Sequence, residues 1–489
     1  MAFDMNITLT LFSLFLAFFV FFFIFLTHYK INSESKTKKI LPPGELGLPW
    51  IGETIDFFKA QRKNRLYEEF VQPRIQMYGK TFKTRIMGSP TVVVNGAEAN
   101  KFFLSNEFKL VVSSWPSSSV QLMGSDSIME KTGESHRCLR GIIATTLSCN
   151  GLENLVPKIC KTIETHMEKN WKSQEIVSLY RLTKILTFTI VVECLFGIDV
   201  KPGTLEIFEK VLEGVSSPPI NIPGSKFWRA KKARMEVEKY LINEVRSKRE
   251  ELERRRGEGR GGEEEEGMLI YRLVMAMIRG EISEKEVVDN VVLLVFAAHD
   301  TTSFAIAMTF RMLAQYPNCY ARLLQEHVDI VRNKTKTRGE KRLTLEDTKK
   351  MIYTWQVARE SMRMFPPIFG SFRKAIQDIE FQGFTIPKGW KVLWTTYGTH
   401  NEEEYFEDAW KFNPSRFEEP IQPYAYVPFG GGPRQCAGYQ LAKLNILILV
   451  HYVVTQYEWS LVDPQEPIAV DPLPFPSQGM PIRISPKFS

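Results

Sequence analysis

The sequence lacks any pair of cysteines at C-x-x-C spacing, although it has six cysteines in 489 residues. The absence of this spacing excludes the common zinc modules. Scattered cysteines in a long chain also exclude a small disulfide scaffold, and they fit a reducing compartment. Five of the cysteines are expected to be small buried side chains. Only Cys436 lies in a sequence context that demands another role.

A concentrated stripe of positive charge is also lacking. The formal net charge is +7, but the basic residues alternate with acidic ones, which argues against nucleic acid as a partner. Gly257 to Gly267 is rich in glycine but lacks the strand–turn–helix context of a dinucleotide site. The chain therefore has no predicted flavin or nicotinamide site of its own.

The composition that is present predicts a globular, mostly α protein with minor β. Apolar residues make up 44% and charged residues 24% of the chain, which is ordinary for a protein with a large core. Strand-like pieces occur at Thr91 to Val94 and at Lys391 to Trp394. The Arg-, Glu- and Gly-rich run from Arg254 to Gly267 is expected to be an exposed loop.

The amino terminus predicts one membrane span. From Ile7 to Thr27 the chain has no charged residue, and a helix of that length spans roughly 30 Å, the hydrocarbon thickness of a bilayer. No small-residue cleavage site follows, which disfavours a cleaved signal peptide. Lysines come directly after the span, so the positive-inside rule places the remaining chain in the cytosol. Pro42 and Pro43 then predict a stiff spacer.

Glu286 to Leu313 is a long helix candidate that is closed by Pro317. Its stretch from Val291 to Ala298 is apolar on every side, which predicts a helix through the centre of the protein. The polar run His299-Asp300-Thr301-Thr302 interrupts it, at a depth where unpaired polar groups cost a few kcal/mol each. Polar residues at such a depth indicate chemistry.

The strongest motif is the run from Phe429 to Gly438, which ends in Arg434-Gln435-Cys436-Ala437-Gly438 and precedes a helical stretch from Gln440 to Val454. Its glycines permit close approach of the backbone to a planar ligand. Cys436 is expected to open the helix, where the helix dipole and backbone N–H groups favour a thiolate. Arg434 suits a carboxylate partner.

This run reproduces the F-x-x-G-x-R-x-C-x-G loop of the cytochrome P450 family, and the chain resembles that family along nearly its whole length. The resemblance implies a P450 fold with the long central helix over a haem b, whose iron Cys436 would ligate. Phe429 and Gly438 would border the haem, and Arg434 would pair with a propionate. The anchor, the proline segment and the particular residues of the motifs look most like those of the plant clan that oxidises triterpenes, diterpenes and steroid hormones.

Two further motifs carry the same resemblance. Ala297-Ala298-His299-Asp300-Thr301 resembles the oxygen-binding stretch [AG]-G-x-[DE]-T, with Ala298 in place of glycine. Asp300 and Thr301 would then deliver protons, although a threonine can instead bond back to its own helix.

In Glu360-Ser361-Met362-Arg363 the i, i+3 spacing puts both charges on one helix face. It resembles the E-x-x-R pair, which would form a buried structural triad with Arg416.

The resemblance also implies the remaining haem contacts. His136-Arg137-Cys138-Leu139-Arg140 is similar to W-x-x-x-R, so Arg140 would hold a propionate and His136 replaces the tryptophan. Arg373 is at a second propionate-binding position. A solvated charge is the alternative for Arg140 and Arg373.

These motifs together predict a monooxygenase that inserts one oxygen atom from O₂ into a C–H bond of a lipophilic, terpenoid or steroid-like substrate. Electrons would come from NADPH through a separate reductase, which Lys443 could help to attract. The expected organisation is a membrane anchor at 1–29, a basic and proline-rich hinge at 30–49 and a haem-thiolate catalytic domain at 50–489. The anchor would be single-pass in the endoplasmic reticulum membrane, with the catalytic domain cytosolic.

Three alternatives remain from the sequence alone: a haem-thiolate enzyme that rearranges peroxides, a non-catalytic haem sensor or electron carrier, and a membrane-tethered interaction protein without haem. By resemblance, the substrate would contact mainly apolar segments, which are Trp115 to Ile128, Val292 to Phe296, Ile368 to Gly370, and Phe475 to Met480.

Overall fold

The computed structural model describes residues 15–23, 39–172, 174–257, 267–337 and 342–487. They form a mainly helical body with a smaller β region, as the sequence pattern predicts. Most of the expected membrane span lies outside the described residues. Within it, residues 15–23 are helical and expose apolar side chains.

From residue 54 onward, the described α-helices are numbered in chain order. The first eight α-helices are α1 (Thr54–Arg62), α2 (Gln72–Tyr78), α3 (Ala97–Ser105), α4 (Ser117–Met123), α5 (Gly133–Thr146), α6 (Cys149–Asn170), α7 (Leu179–Thr189) and α8 (Thr204–Val215). The next eight are α9 (Lys226–Gly257), α10 (Leu269–Ile278), α11 (Glu284–Gln315), α12 (Pro317–Thr337), α13 (Leu345–Lys349), α14 (Ile352–Met364), α15 (Tyr397–His400) and α16 (Tyr439–Gln456). Short π-helical segments occupy Tyr67–Val71 and Ile190–Phe196, and 3₁₀ turns occupy Pro414–Phe417 and Gly432–Arg434.

The strands form one larger and three smaller sheets. They are β1 (Thr81–Ile86), β2 (Ser89–Val94), β3 (Val111–Ser113), β4 (Ile176–Ser178), β5 (Gly370–Ala375), β6 (Ile379–Phe381), β7 (Phe384–Ile386), β8 (Lys391–Thr395), β9 (Tyr457–Leu461), β10 (Ile468–Val470), β11 (Pro474–Pro476) and β12 (Pro481–Pro486). The five-stranded sheet has the order β1-β2-β8-β5-β3. Both predicted strand pieces lie in it as its parallel pair, with Thr91 opposite Lys391. The smaller sheets are β4-β12-β9, β6-β7 and β10-β11.

Helix α11 is the central element that the sequence predicts. Ser283 and Glu286 form a capping box at its start, and the helix ends just before Pro317. It packs on α7, α9, α14 and α16. Among the described helices it alone has the length and hydropathy of a membrane span, but it is mostly buried in the protein. The apolar surface of α11 therefore belongs to the hydrophobic core of the protein.

The prediction of a loop from residue 254 is wrong at its start, because α9 continues to Gly257. Ion pairs at i, i+4 spacing support the charged end of this helix. Arg249 Nε lies 2.8 Å from Glu253 Oε1, and Arg255 Nη2 lies 2.5 Å from Glu251 Oε1. Residues 258–266 lie outside the described part.

The proline-rich segment is attached to the sheets. Lys83 N donates to Pro43 O at 2.7 Å, and Thr385 N donates to Ile40 O at 2.7 Å. Gly44 has φ +114°, and a Cβ there would lie 2.3 Å from Lys83 O, so only glycine fits this approach. The segment thus holds a fixed position against the body.

Three buried histidines make the stability depend on pH. Burial lowers the pKa of His166 and of His451 to about 4, and that of His400 to about 3. Since the unfolded pKa is about 6.5, unfolding takes up protons below pH 6.5. The stabilisation from these neutral imidazoles is complete above pH 6.5 and is lost as the pH falls toward 4.

We therefore expect the free energy of unfolding to fall by about 1.4 kcal/mol per pH unit for each of the three histidines between roughly pH 6 and pH 4. His166→Gln should reduce this pH slope by one histidine's share, as measured by urea unfolding at several pH values. Equal slopes for the variant and the parent protein would contradict the assignment.

Candidate active site

The loop before α16 brings Cys436 to a fixed position. Cys436 N donates to Phe429 O at 2.9 Å, which closes the loop. Gly432 has φ +65°, and a Cβ there would lie 1.9 Å from Leu104 O, so glycine is required. The expectation that Cys436 opens the helix is wrong by three residues, because α16 begins at Tyr439 with Gly438 as its N-cap.

Cys436 has accessible surface although protein surrounds it. Burial raises the pKa of its thiol, while backbone N–H groups of Gly438 and Tyr439 and the charge of Arg140 act to lower it. The side chain is nevertheless among the exposed cysteines. A residue that protein encloses and that is still accessible borders an internal hollow.

Several residues in the middle of α11 are accessible, as Cys436 is. Leu293 and Thr301 are half-buried and Ala297 is exposed, at i, i+4 and i+8 of a helix whose other faces are packed. Ala298 beside them is half-buried. Small side chains at this depth leave room for a ligand next to the helix.

Asp300 and Thr301 point in different directions. Thr301 Oγ1 donates to Ala297 O at 2.7 Å, which is the back-bonded arrangement, and the residue is half-buried. Asp300 is buried, and its Oδ1 lies 3.1 Å from Lys184 Nζ and 3.4 Å from His299 Nε2. Lys184 also reaches Glu209 Oε1 at 2.7 Å. Burial acts to lower the pKa of Lys184, but Asp300 and Glu209 raise it overall.

Arg373 and Arg434 share one buried carboxylate. Arg434 Nε donates to Glu107 Oε1 at 2.7 Å. Arg373 Nε lies 2.6 Å from Glu107 Oε2, but its N–H does not point at that oxygen, so this contact is an ion pair without a hydrogen bond. The terminal nitrogens of Arg434 donate to the carbonyls of Ile128, Met129 and Lys131. Four of its five N–H groups are thus engaged.

Arg140 has no hydrogen bond or ion pair within the described part of the chain, and it is half-buried close to Cys436. His136 lies one turn before it on α5, with its ring 5.1 Å from that of Phe108. Burial, aided by Arg434 and Arg140, lowers the pKa of His136 to about 4, so the ring is neutral at pH 7. A half-buried guanidinium without an anion is costly unless a ligand supplies one.

Glu360, Arg363 and Arg416 form one hydrogen-bonded group. Arg363 donates to both oxygens of Glu360, at 2.8 and 2.9 Å, and Arg416 Nε donates to Oε1 at 3.0 Å. Glu360 and Arg363 are fully buried. Arg363 Nη1 donates to His400 O at 2.6 Å, and His400 Nε2 accepts from Val427 N at 3.0 Å. The three residues are therefore connected to the chain just before Phe429.

Glu107 and Lys184 were not among the site residues predicted from the sequence. Both lie on elements without a recognisable motif, and their partners are hundreds of residues away or on another helix. The sequence could have indicated them only indirectly, because buried arginines and a buried aspartate require residues of opposite charge nearby.

The site fits a haem group. Cys436 is accessible although protein encloses it, small residues in the middle of α11 are accessible as well, and Arg140 with the Arg373–Arg434 pair supplies more positive charge than Glu107 neutralises. Guanidinium groups bind carboxylates well. This combination defines the haem-thiolate class of proteins.

Comparison with known proteins agrees with this class. Residues 42–483 match the family described as Cytochrome P450. The chain is 39% identical over 464 residues to taxane 13-alpha-hydroxylase of Taxus cuspidata, covering 93% of each chain. It is 37% identical over 457 residues to beta-amyrin 28-monooxygenase of Barbarea vulgaris, covering 92% of this chain and 93% of that one.

A solved structure shows the same fold. Retinoic acid bound cyanobacterial CYP120A1 superposes with a TM-score of 0.80 at 30% identity, covering 92% of this chain and 100% of that chain. The chain belongs to the cytochrome P450 family. It is a haem-thiolate monooxygenase, and the family binds haem iron through a cysteine ligand.

Removal of the Glu360 charge should destabilise the fold strongly. Glu360→Gln leaves Arg363 buried without an anion, and we expect a loss of about 3–5 kcal/mol in the free energy of unfolding, measured by denaturant titration. Glu418→Gln is the matched control, because it breaks an exposed ion pair with Arg322 and should cost less than about 1 kcal/mol. Equal losses in both variants would rule out this role for Glu360.

Proposed function

We propose that this protein inserts one oxygen atom from O₂ into a C–H bond of a terpenoid or steroid-like substrate. Cys436 is the proposed ligand of the haem iron, and electrons come from NADPH through a separate reductase. The observation that carries the proposal is Cys436, a residue that is accessible although protein encloses its thiol group.

The cofactor would be haem b, held at its edges by side chains of this hollow. Arg140 has free donors for a propionate, and the neutral ring of His136 lies beside it with N–H capacity. Arg373 would contribute its charge, and Arg434 its one remaining N–H group. Phe429, Gly438 and Ala298 would contact the ring. When bound, a haem with a thiolate ligand supplies oxygen activation and C–H oxidation.

Proton supply is the proposed role of Thr301 and Asp300. The Thr301 oxygen can accept a hydrogen bond from water in the hollow while its own proton is held by Ala297 O. Asp300 is tied to Lys184 and through it to Glu209, which also pairs with Arg181, half-exposed on α7. This chain of charged groups connects the centre of α11 with the surface. Protons can enter along it through water.

A lipophilic substrate fits the surfaces around the hollow. Trp115 and Ile368 expose much of their apolar surface, and the two segments are joined by a hydrogen bond from Ser114 N to Phe372 O. The segment that ends at Ile128 is tied to α11 by a bond from Ile128 N to Asn290 Oδ1. Because the relatives include taxane and beta-amyrin oxidising enzymes, a terpenoid is the proposed substrate class.

Membrane lipid is a proposed partner. Leu48, Trp50 and Ile55 are exposed, as are Ile220 and Ile222 before α9. Helix α1 contacts β10, and Asp471 after β10 pairs with Lys226 at the start of α9, so both groups lie on one side. We propose a single-pass anchor at 1–29, a hinge at 30–49 and a cytosolic catalytic domain at 50–489 on the endoplasmic reticulum membrane.

The reductase would approach from the cysteine side. Lys443 is a weaker contact than its sequence position suggests, because it is half-buried with its ammonium 5.3 Å from the Trp355 ring. Arg137, one turn before Arg140, is 75% exposed and pairs with the exposed Glu134 at 3.1 Å. Its charge can also meet an acidic surface.

The ligand assignment has a direct spectroscopic test. With dithionite and carbon monoxide the purified protein should give the strongly red-shifted Soret band of thiolate-bound haem, and Cys436→Ser should lose it. Cys149→Ser is the matched control, because Cys149 is also exposed but lies on α6. A red-shifted band that survives Cys436→Ser would overturn the assignment.

Thr301→Ala should lower product formed per NADPH consumed by on the order of tenfold or more, because general acid–base groups contribute about 10²–10⁴ to rate. Turnover of a terpenoid panel with a reductase measures this ratio, and Thr301→Ser should restore it by keeping the hydroxyl. Conversion of lipid peroxides without reductase, unaffected by either change, would show a rearranging enzyme instead.

A further inference from the structure

Glu107 lies near the start of a strained connection between α3 and β3. Its backbone bridges to Val111, and Phe108 N donates to Val111 O at 2.7 Å. Phe108 has φ +69°, a left-handed conformation that is an outlier for a bulky residue and costs on the order of 1–3 kcal/mol. Such strain persists only where surrounding contacts maintain it. The Glu107 side chain of this connection is buried.

The carboxylate of Glu107 is 1% exposed and is held from three directions. Its Oε1 accepts from Arg434 Nε at 2.7 Å and from Ser113 N at 2.9 Å, and its Oε2 lies 2.6 Å from Arg373 Nε. The side chains of Arg434 and Arg373 are 10% and 6% exposed. Two buried cations therefore share one buried anion.

The charges around this group do not cancel. Arg140, Arg373 and Arg434 carry three positive charges, Glu107 carries one negative charge, and neutral His136 adds none. Glu130, which also interacts with Arg434, is exposed. Lys131 is neutralised by its own partners, Asp126 and Glu286. The cluster has an excess of two positive charges.

We infer that Glu107 is a positioning residue that fixes Arg373 and Arg434 at the edge of the haem site and sets the excess charge there to two. Haem b carries two propionate carboxylates, so the loaded cluster is electrically balanced. This inference rests on the proposed haem site. It assigns to Glu107 a share in setting the reduction potential of the iron, since a buried charge near a redox centre acts through a low dielectric.

The midpoint potential of the haem, measured by spectroelectrochemical titration of the complete protein, tests this role. Glu107→Gln keeps the size and the acceptor oxygen but removes the negative charge, so the potential should shift upward. Arg373→Gln removes one positive charge and should shift it downward. Glu130→Gln removes the same charge as Glu107→Gln near the same arginine but in solvent, and should leave the potential unchanged.

The opposite signs separate charge from packing. Shifts of the same sign in Glu107→Gln and Arg373→Gln, or a Glu107→Gln potential equal to that of Glu130→Gln, would overturn the inference. If Glu107→Gln does not fold, Arg373→Gln decides alone, since an unchanged or raised potential contradicts a charge-balanced cluster. Failure of the unaltered protein to give the red-shifted carbon monoxide band would instead refute the proposed haem site.

Discussion

The burial of charge in ion pairs is the constraint on which this structure depends. Glu360 and Arg363 have no access to solvent, and removal of the Glu360 carboxylate would leave Arg363 as a buried charge without its anion. Their hydrogen bonds continue through His400 to Val427 and so to the cysteine loop. The position of the Cys436 sulfur is therefore determined partly by a carboxylate on α14, in a different part of the sequence.

Features formed by residues that are close in sequence could be predicted, and features formed by residues that are far apart in sequence could not. Helix α11 and the glycine-built loop are determined by neighbouring residues, through apolar spacing, a capping box and glycine conformations, and the sequence analysis placed them closely. Glu107 and Lys184 could not be found in this way, because their functions depend on partners that only the fold brings near. The end of α9 was missed because side-chain ion pairs there replace apolar contacts.

The neighbours Asp300 and Thr301 illustrate the same limit. Successive residues on an α-helix point about 100° apart, so one faces the hollow while the other enters the buried ion pairs with Lys184. A motif places the two residues in sequence but does not give their directions. Because Asp300 is paired with Lys184, the proposed proton transfer between Asp300 and Thr301 needs either water or a temporary loss of that ion pair.

The two charged clusters beside the hollow are opposite in sign, and this difference suits the two tasks. Around Asp300, two cations, Arg181 and Lys184, face three acids, Glu206, Glu209 and Asp300, which gives a net negative charge. Around Glu107 the guanidinium groups are in excess. A negative cluster favours the entry of protons, and a positive one favours the binding of carboxylates. The fold thus separates the proposed proton supply from the proposed cofactor-binding edge by charge as well as by distance along the chain.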